Sequence, residues 1–165
     1  MDFRTISVAF TLNGKPVTAT VPEHWSLLHA LREGLFAYEV KDGCSQGDCG
    51  TCAVLLDGVA VNSCLVPVGQ AEGCEVVTVK GVGNDPGTAP LLDAFVHNGG
   101  VQCGYCTPGM VVAGAELLKE NPNPTREEIR ESISGNLCRC TGYTKIVDSI
   151  AAAAKVVAER EEGGA

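Results

Sequence analysis

Apolar and polar residues alternate from the start of the chain: Ile6, Val8, Phe10 and Leu12 are interleaved with Ser7, Ala9 and Thr11. That two-residue period predicts a half-buried strand. Asn13-Gly14 supplies a tight turn, and Val17 to Val21 reads as the hairpin partner. From Ser26 the spacing lengthens to Leu27, Leu28, Leu31 and Leu35, a short helix with Ser26 as its cap and Gly34 weakening its last turn. Cys52 to Leu56 and Val59 to Cys64 form a second hairpin about Asp57-Gly58, with Cys64 on the return strand. Cys74 to Val79 is one more strand. Gly81 to Ala89, with glycines at 81, 83 and 87 and Pro86, predicts a linker, after which alternation stops.

Four helices are expected beyond it. Thr88 caps the first, through Leu91, Leu92, Phe95 and Val96. Thr107-Pro108, as N-cap and first helical residue, opens the second, with Met110, Val111, Gly114, Leu117 and Leu118 at helical spacing. Pro124-Thr125-Arg126-Glu127-Glu128 begins the third with a capping box, ahead of Ile129 and Ile133 on one face. The fourth runs from Thr144 through Ile146, Ile150, Ala154 and Val157 and frays into the polar tail Glu159 to Ala165. Pattern alone therefore predicts an α+β chain with residues 1–80 as a sheet domain, 81–90 as linker and 91–165 as a helical domain.

Composition narrows the class. A chain of 165 residues, 45% hydrophobic and 19% charged, is long enough for a real core. Twelve basic against twenty acidic residues give a formal charge of −8 without a basic run, which argues against nucleic acid as partner. The start Met1-Asp2-Phe3-Arg4 has neither an apolar core nor a twin arginine, so the nine cysteines read as metal-bound thiols in a reducing cytoplasm, not as a secreted disulfide scaffold. The apolar stretch Met110 to Leu118 is short and carries Glu116, so no membrane span is expected.

The candidate chemistry is in the cysteines. Cys44, Cys49 and Cys52 follow the C-x4-C-x2-C spacing of plant-type two-iron proteins, and Cys64 is placed to supply a fourth thiolate. Glycines 43, 47 and 50 let such a loop curl so that backbone N–H groups approach the sulfurs. The Cys49-x-x-Cys52 pair taken alone would also suit a zinc loop or a disulfide knot. A second set, Cys103, Cys106, Cys138 and Cys140, is open to the same zinc reading. Both of its pairs precede predicted helix starts, where free N–H groups favour an anionic cluster of about −2 oxidised and −3 reduced. Cys74 belongs to neither set and reads as a small buried or half-buried thiol. His24, His29 and His97 make no metal-spaced pair, and Trp25 is expected to pack beside the first helix. Gly81-Val82-Gly83 does not complete a dinucleotide fingerprint, and no nucleotide-binding loop is present, so any flavin belongs on another chain.

Gln102-Cys103-Gly104-Tyr105-Cys106-Thr107-Pro108-Gly109-Met110 and Gly135-Asn136-Leu137-Cys138-Arg139-Cys140-Thr141-Gly142-Tyr143 resemble the second-cluster signature of the molybdenum hydroxylases. That family includes xanthine dehydrogenase, aldehyde oxidoreductase and aerobic carbon monoxide dehydrogenase. Gly43 to Cys52, with Cys64, resembles the motif of its other cluster, so the likeness covers nearly the whole chain and no ligand position is missing. The resemblance implies an N-terminal β-grasp, plant-type ferredoxin-like domain and a C-terminal four-helix domain, each with one [2Fe-2S] cluster. It implies an electron-transfer subunit of a hetero-oligomeric oxidoreductase, with a molybdenum-pterin cofactor on a large subunit and FAD on a medium one. In relatives the helical-domain cluster lies next to the pterin, and residues matching Gln102 and Cys140 approach it. Two other readings stand beside this one: a free ferredoxin-type carrier, which the long helical half argues against, and a zinc-bound interaction module.

Overall fold

The computed structural model describes residues 4–163, with side chains through Arg160. The expected domain ends at 1–3 and 164–165 lie outside the described residues. Strands β1 (Thr5–Leu12) and β2 (Lys15–Pro22) form the first hairpin, with Ile6 opposite Val21 and Phe10 opposite Val17. Asn13 and Gly14 both take positive φ, the geometry that matches a two-residue turn to the twist of its strands. Strands β3 (Ala53–Leu56) and β4 (Val59–Asn62) form the second hairpin, and β5 (Glu75–Val77) joins the two. The sheet order is β2-β1-β5-β3-β4, antiparallel except for the β1–β5 pair. Helix α1 (Leu27–His29) is capped by Ser26 and continues as a wider π-helical turn over Ala30–Gly34, leaving Leu35 just outside.

The helical half contains α2 (Val79–Asn84), α3 (Pro90–His97), α4 (Thr107–Glu120), α5 (Arg126–Ser132) and α6 (Thr144–Gly163). The Thr125–Glu128 capping box forms in both directions, and Ile129 and Ile133 are buried behind it. Along α6, Ile146, Ile150, Ala154 and Val157 are buried at helical spacing. None of the described helices is long and apolar enough to cross a membrane.

Several expected boundaries move. The predicted linker is structured: residues 79–84 form α2, so five helices follow the sheet where four were expected. The physical cause is at Thr78. Its buried side chain accepts the Lys80 N–H (3.3 Å), while its own N–H donates to Asn13 Oδ1 (2.8 Å), so β5 stops at Val77 and Val79 enters a helix. Gly81 serves close approach, not flexibility, because a Cβ there would overlap Asn13 Oδ1. Thr88 does not cap α3; its hydroxyl donates to the Val82 carbonyl (2.9 Å) and closes the turn that follows α2. Thr107 is already helical and Cys106 is the N-cap, a one-residue shift that Pro108 permits because proline is tolerated throughout the first turn. Cys64 lies in the turn past β4, where Ser63 hydrogen-bonds the Cys52 carbonyl through its hydroxyl (2.7 Å). The tail after Glu159 stays helical as far as Gly163.

The core divides into two clusters that meet across β3. Val54 packs with Val8, Phe10, Leu28, Leu31 and Val76 on one face of the sheet. Ala53 and Leu55 pack with Leu91, Phe95, Met110, Ile146 and Ile150 on the other. Ala53, Val54 and Leu55 are therefore buried in succession, because the later helices cover one face of this strand, and α1 with its π-helical turn packs in the cluster on the other.

Candidate metal centres

The loop 43–52 curls through positive φ at Ser45, Gly47 and Gly50. Ser45 is held in that conformation by its hydroxyl, which donates to Asp42 Oδ1 (2.7 Å). The curl turns backbone N–H groups inward. Those of Gln46, Cys49 and Asp48 hold the Cys44 thiol down, to about 7, against slight burial. Burial pushes the Cys64 thiol up to about 12, helped by a hydrogen bond with Cys52, and burial likewise raises Cys49, which pairs with Cys44. The four thiols of the first set thus stand as two pairs, Cys44 with Cys49 and Cys52 with Cys64.

The second set has the same arrangement. Cys103 and Cys140 are exposed, with their sulfurs 3.5 Å apart, and this contact raises Cys140. Burial pushes Cys106 up to about 12, and the neighbouring Cys138 adds to it. Cys138 is lowered: burial opposes this, but the hydroxyl and N–H of Thr141 and the N–H of Cys140 outweigh it. The Cys138 N–H donates to Tyr143 Oη (2.9 Å), which fixes the turn leading into α6. Tyr143 itself sits at φ 66°.

The fold brings these two sets together although 38 residues lie between Cys64 and Cys103. A cavity of about 280 Å³ is lined by Cys49 from the first set and by Cys103, Cys106, Cys138 and Cys140 from the second. The Leu137 N–H donates to the Cys49 carbonyl (2.9 Å), so one residue of each motif, adjacent to or within its thiol run, touches the other. Asn136 Nδ2 donates to the Gly50 carbonyl (2.9 Å), and the Thr51 hydroxyl to the Tyr105 carbonyl (2.8 Å). Tyr105 Oη donates to the Asp42 carbonyl. Backbones meet closely here: a Cβ at Gly50 would overlap the Gly135 carbonyl oxygen, and one at Gly109 the Gly50 carbonyl oxygen. Tyr105, Asn136, Gly109 and Thr141 occur within the recognised motifs, but no local pattern shows what they touch.

Among the described residues no three or more His, Cys, Asp or Glu side chains are placed to hold a single metal ion. Two pairs of thiols per site are, by contrast, the donor set of a two-iron cluster, in which each iron takes two cysteines. The residues present fit that group. Cys74 stays apart, half-buried, its thiol 3.5 Å from the Gln70 carbonyl and raised by Asp57. His29 Nδ1 meets Ser26 Oγ (2.9 Å) and its ring tilts against Trp25, while His97 Nδ1 meets the Asp93 carbonyl (2.7 Å). Gln102 is exposed beside Cys103.

Comparison with known proteins places both halves of the chain among two-iron-binding domains. Residues 10–77 match the family described as "2Fe-2S iron-sulfur cluster binding domain" and residues 78–151 the "[2Fe-2S] binding domain". The chain is 45% identical to the nicotinate dehydrogenase small FeS subunit of Eubacterium barkeri, over 86% of its own length and 90% of that protein. It belongs to the small iron-sulfur subunits of the molybdenum hydroxylases. Within that family, the structure of quinoline 2-oxidoreductase from Pseudomonas putida 86 contains a chain that superposes with a TM-score of 0.88 at 43% identity, covering 94% of this chain and 97% of that one. The aldehyde oxidoreductase of Megalodesulfovibrio gigas is 40% identical over 92% of this chain, which there corresponds to 17% of a longer polypeptide. Like other members, this chain is an iron-sulfur, electron-transfer component of an oxidoreductase, with two 2Fe-2S-binding domains in an α+β fold.

Proposed function

We propose that this chain relays electrons between a molybdenum-pterin site on a large subunit and a flavin on a medium subunit. Cys44, Cys49, Cys52 and Cys64 hold one [2Fe-2S] cluster, and Cys103, Cys106, Cys138 and Cys140 the other. The observation that carries the reading is the pairing of thiols within each set combined with the Cys49–Leu137 contact between the sets. A bound two-iron cluster supplies reversible storage of one electron. The chain supplies the thiolates, the inward N–H groups that favour their anionic form, and direct backbone contact between the two thiol sets.

A tetrahedral zinc site needs four donors about one ion, whereas each set here stands as two thiol pairs, which suits two irons better. A free carrier would not need the second set. The exposed edge formed by Cys103 and Cys140, with Gln102 beside it, suits contact with the pterin. The first loop then faces the flavin subunit, and the assembly is a cytoplasmic hetero-oligomer. Electron paramagnetic resonance of the dithionite-reduced protein tests this. Two distinct two-iron signals are expected; one signal or none would refute the two-cluster assignment.

A further inference from the structure

Thr141 follows the last cysteine of the second set and lies in the turn before α6. Its Oγ1 is 3.0 Å from Cys138 Sγ and 3.2 Å from the Tyr143 nitrogen. A hydroxyl has one proton and two acceptor lone pairs, while a backbone N–H can only donate. Tyr143 therefore occupies a lone pair of Oγ1. A thiolate that binds metal has no proton, so the contact with Cys138 has one possible direction: the hydroxyl donates to the sulfur. The turn itself is held from its other end by the Cys138 N–H bond to Tyr143 Oη, so the hydroxyl is aimed by the surrounding backbone. Among the described residues Thr141 is the one side chain whose oxygen bonds to a thiol of either set; Cys44, the corresponding low-lying thiol of the first set, is served by backbone N–H groups.

We infer that Thr141 is a tuning residue, whose O–H···Sγ bond to Cys138 raises the reduction potential of the second cluster and so sets how an electron divides between the two centres. The inference rests on the ligand assignment proposed above. Its physical basis is that the reduced centre carries about one more negative charge than the oxidised one, and a donor to ligand sulfur stabilises the more negative state more strongly. A backbone donor is removed only by proline, which disturbs the loop, whereas this one is removed by a conservative side-chain change.

The test is a redox titration of the assembled protein, followed by paramagnetic resonance at both cluster signals, for the parent, T141V and T141S. T141V is expected to lower one midpoint potential and leave the other in place. The expected size is about tenfold in the distribution of the electron between the centres, or ~59 mV for a one-electron couple. T141S keeps the hydroxyl and retains the parent value. In deuterated buffer, one exchangeable deuteron coupled to that same signal, beyond those of the Thr141 and Cys140 N–H groups, is expected in the parent and T141S and lost in T141V, a readout that mere loosening of the turn would not produce. Should valine disturb assembly, T141A removes the same hydroxyl with a smaller side chain and reads the same shift. Two intact signals with unchanged potentials in the valine or alanine variant would overturn the tuning role and leave the ligand assignment standing. Fewer than two signals in the parent would instead remove the assignment itself.

Discussion

Gly109→Ala separates close packing at the junction from helix propensity, because the two act with opposite sign. Gly109 is in the first turns of α4, where alanine in place of glycine should stabilise by up to about 1 kcal/mol. Its missing Cβ, however, leaves space filled by the Gly50 carbonyl oxygen, with Asn136 Nδ2 at 2.9 Å and Thr51 Cα at 3.1 Å. These are mainly backbone atoms of the first thiol loop, which cannot rotate away. Overpacking of this kind costs about 1–3 kcal/mol. The buried Asn136–Gly50 hydrogen bond would be stretched at the same time, and unmaking it costs about 1–3 kcal/mol more. The net expectation is a loss of about 3 kcal/mol, or about 6–12 °C in the midpoint for a domain of this size. Thermal denaturation of the cluster-loaded protein, followed by far-ultraviolet circular dichroism and by visible absorption, would measure it. Gly114→Ala is the control: its nearest neighbours are Ile150 and Leu91 side-chain atoms at 3.3 Å, whose small displacement offsets the helix-propensity gain, so little net change is expected. A G109A protein as stable as the parent would show that the two thiol sets are not held by close backbone contact.

Three further outcomes follow from the same structure. Cys49→Ser should abolish one two-iron signal, leave the other, and slow reoxidation by the natural acceptor; unchanged turnover would contradict the order of the relay. Thr125→Ala removes the side-chain arm of the capping box, leaving the Thr125 N–H to Glu128 bond, and should cost about 1 kcal/mol in a urea titration. Burial alone would raise the Glu39 carboxyl, but its own backbone N–H, Lys80 at 3.0 Å and the Thr78 hydroxyl outweigh this and hold it below its ordinary value of 4.5. Its contribution is therefore present above pH 4.5 and lost as pH falls through the lowered folded value. Glu39→Gln should lower stability by up to about 1 kcal/mol at neutral pH and flatten that acid limb, as read from urea midpoints across the range.

The parts of the fold legible in the sequence are those in which a local period or a local cap decides the outcome. Alternation at Ile6, Val8, Phe10 and Leu12, the Asn13-Gly14 turn and the Thr125–Glu128 box all appear where their residues predict them. Gly81 reads as a linker residue in the sequence because glycine has two uses, freedom and closeness, that composition cannot tell apart; only the packing of Asn13 against it shows which applies. Thr88 is a related case. A threonine hydroxyl near a helix start satisfies whichever backbone group is nearest, and for Thr88 that is a carbonyl of the preceding helix.

For the metal centres the division is similar. The sequence by itself supplied the proposal of eight thiols in two sets, because ligands offered by a short loop must have short spacings, and those spacings are visible in the chain. Tertiary structure alone decided that the sets pair internally, that Cys49 and Leu137 join them, and that Thr141 faces a sulfur. Those contacts depend on β3 being covered on both faces, which draws α4 and the turn before α6 onto the first thiol loop. Residues 49 and 137 meet because their elements share a core, and no local pattern records that distance.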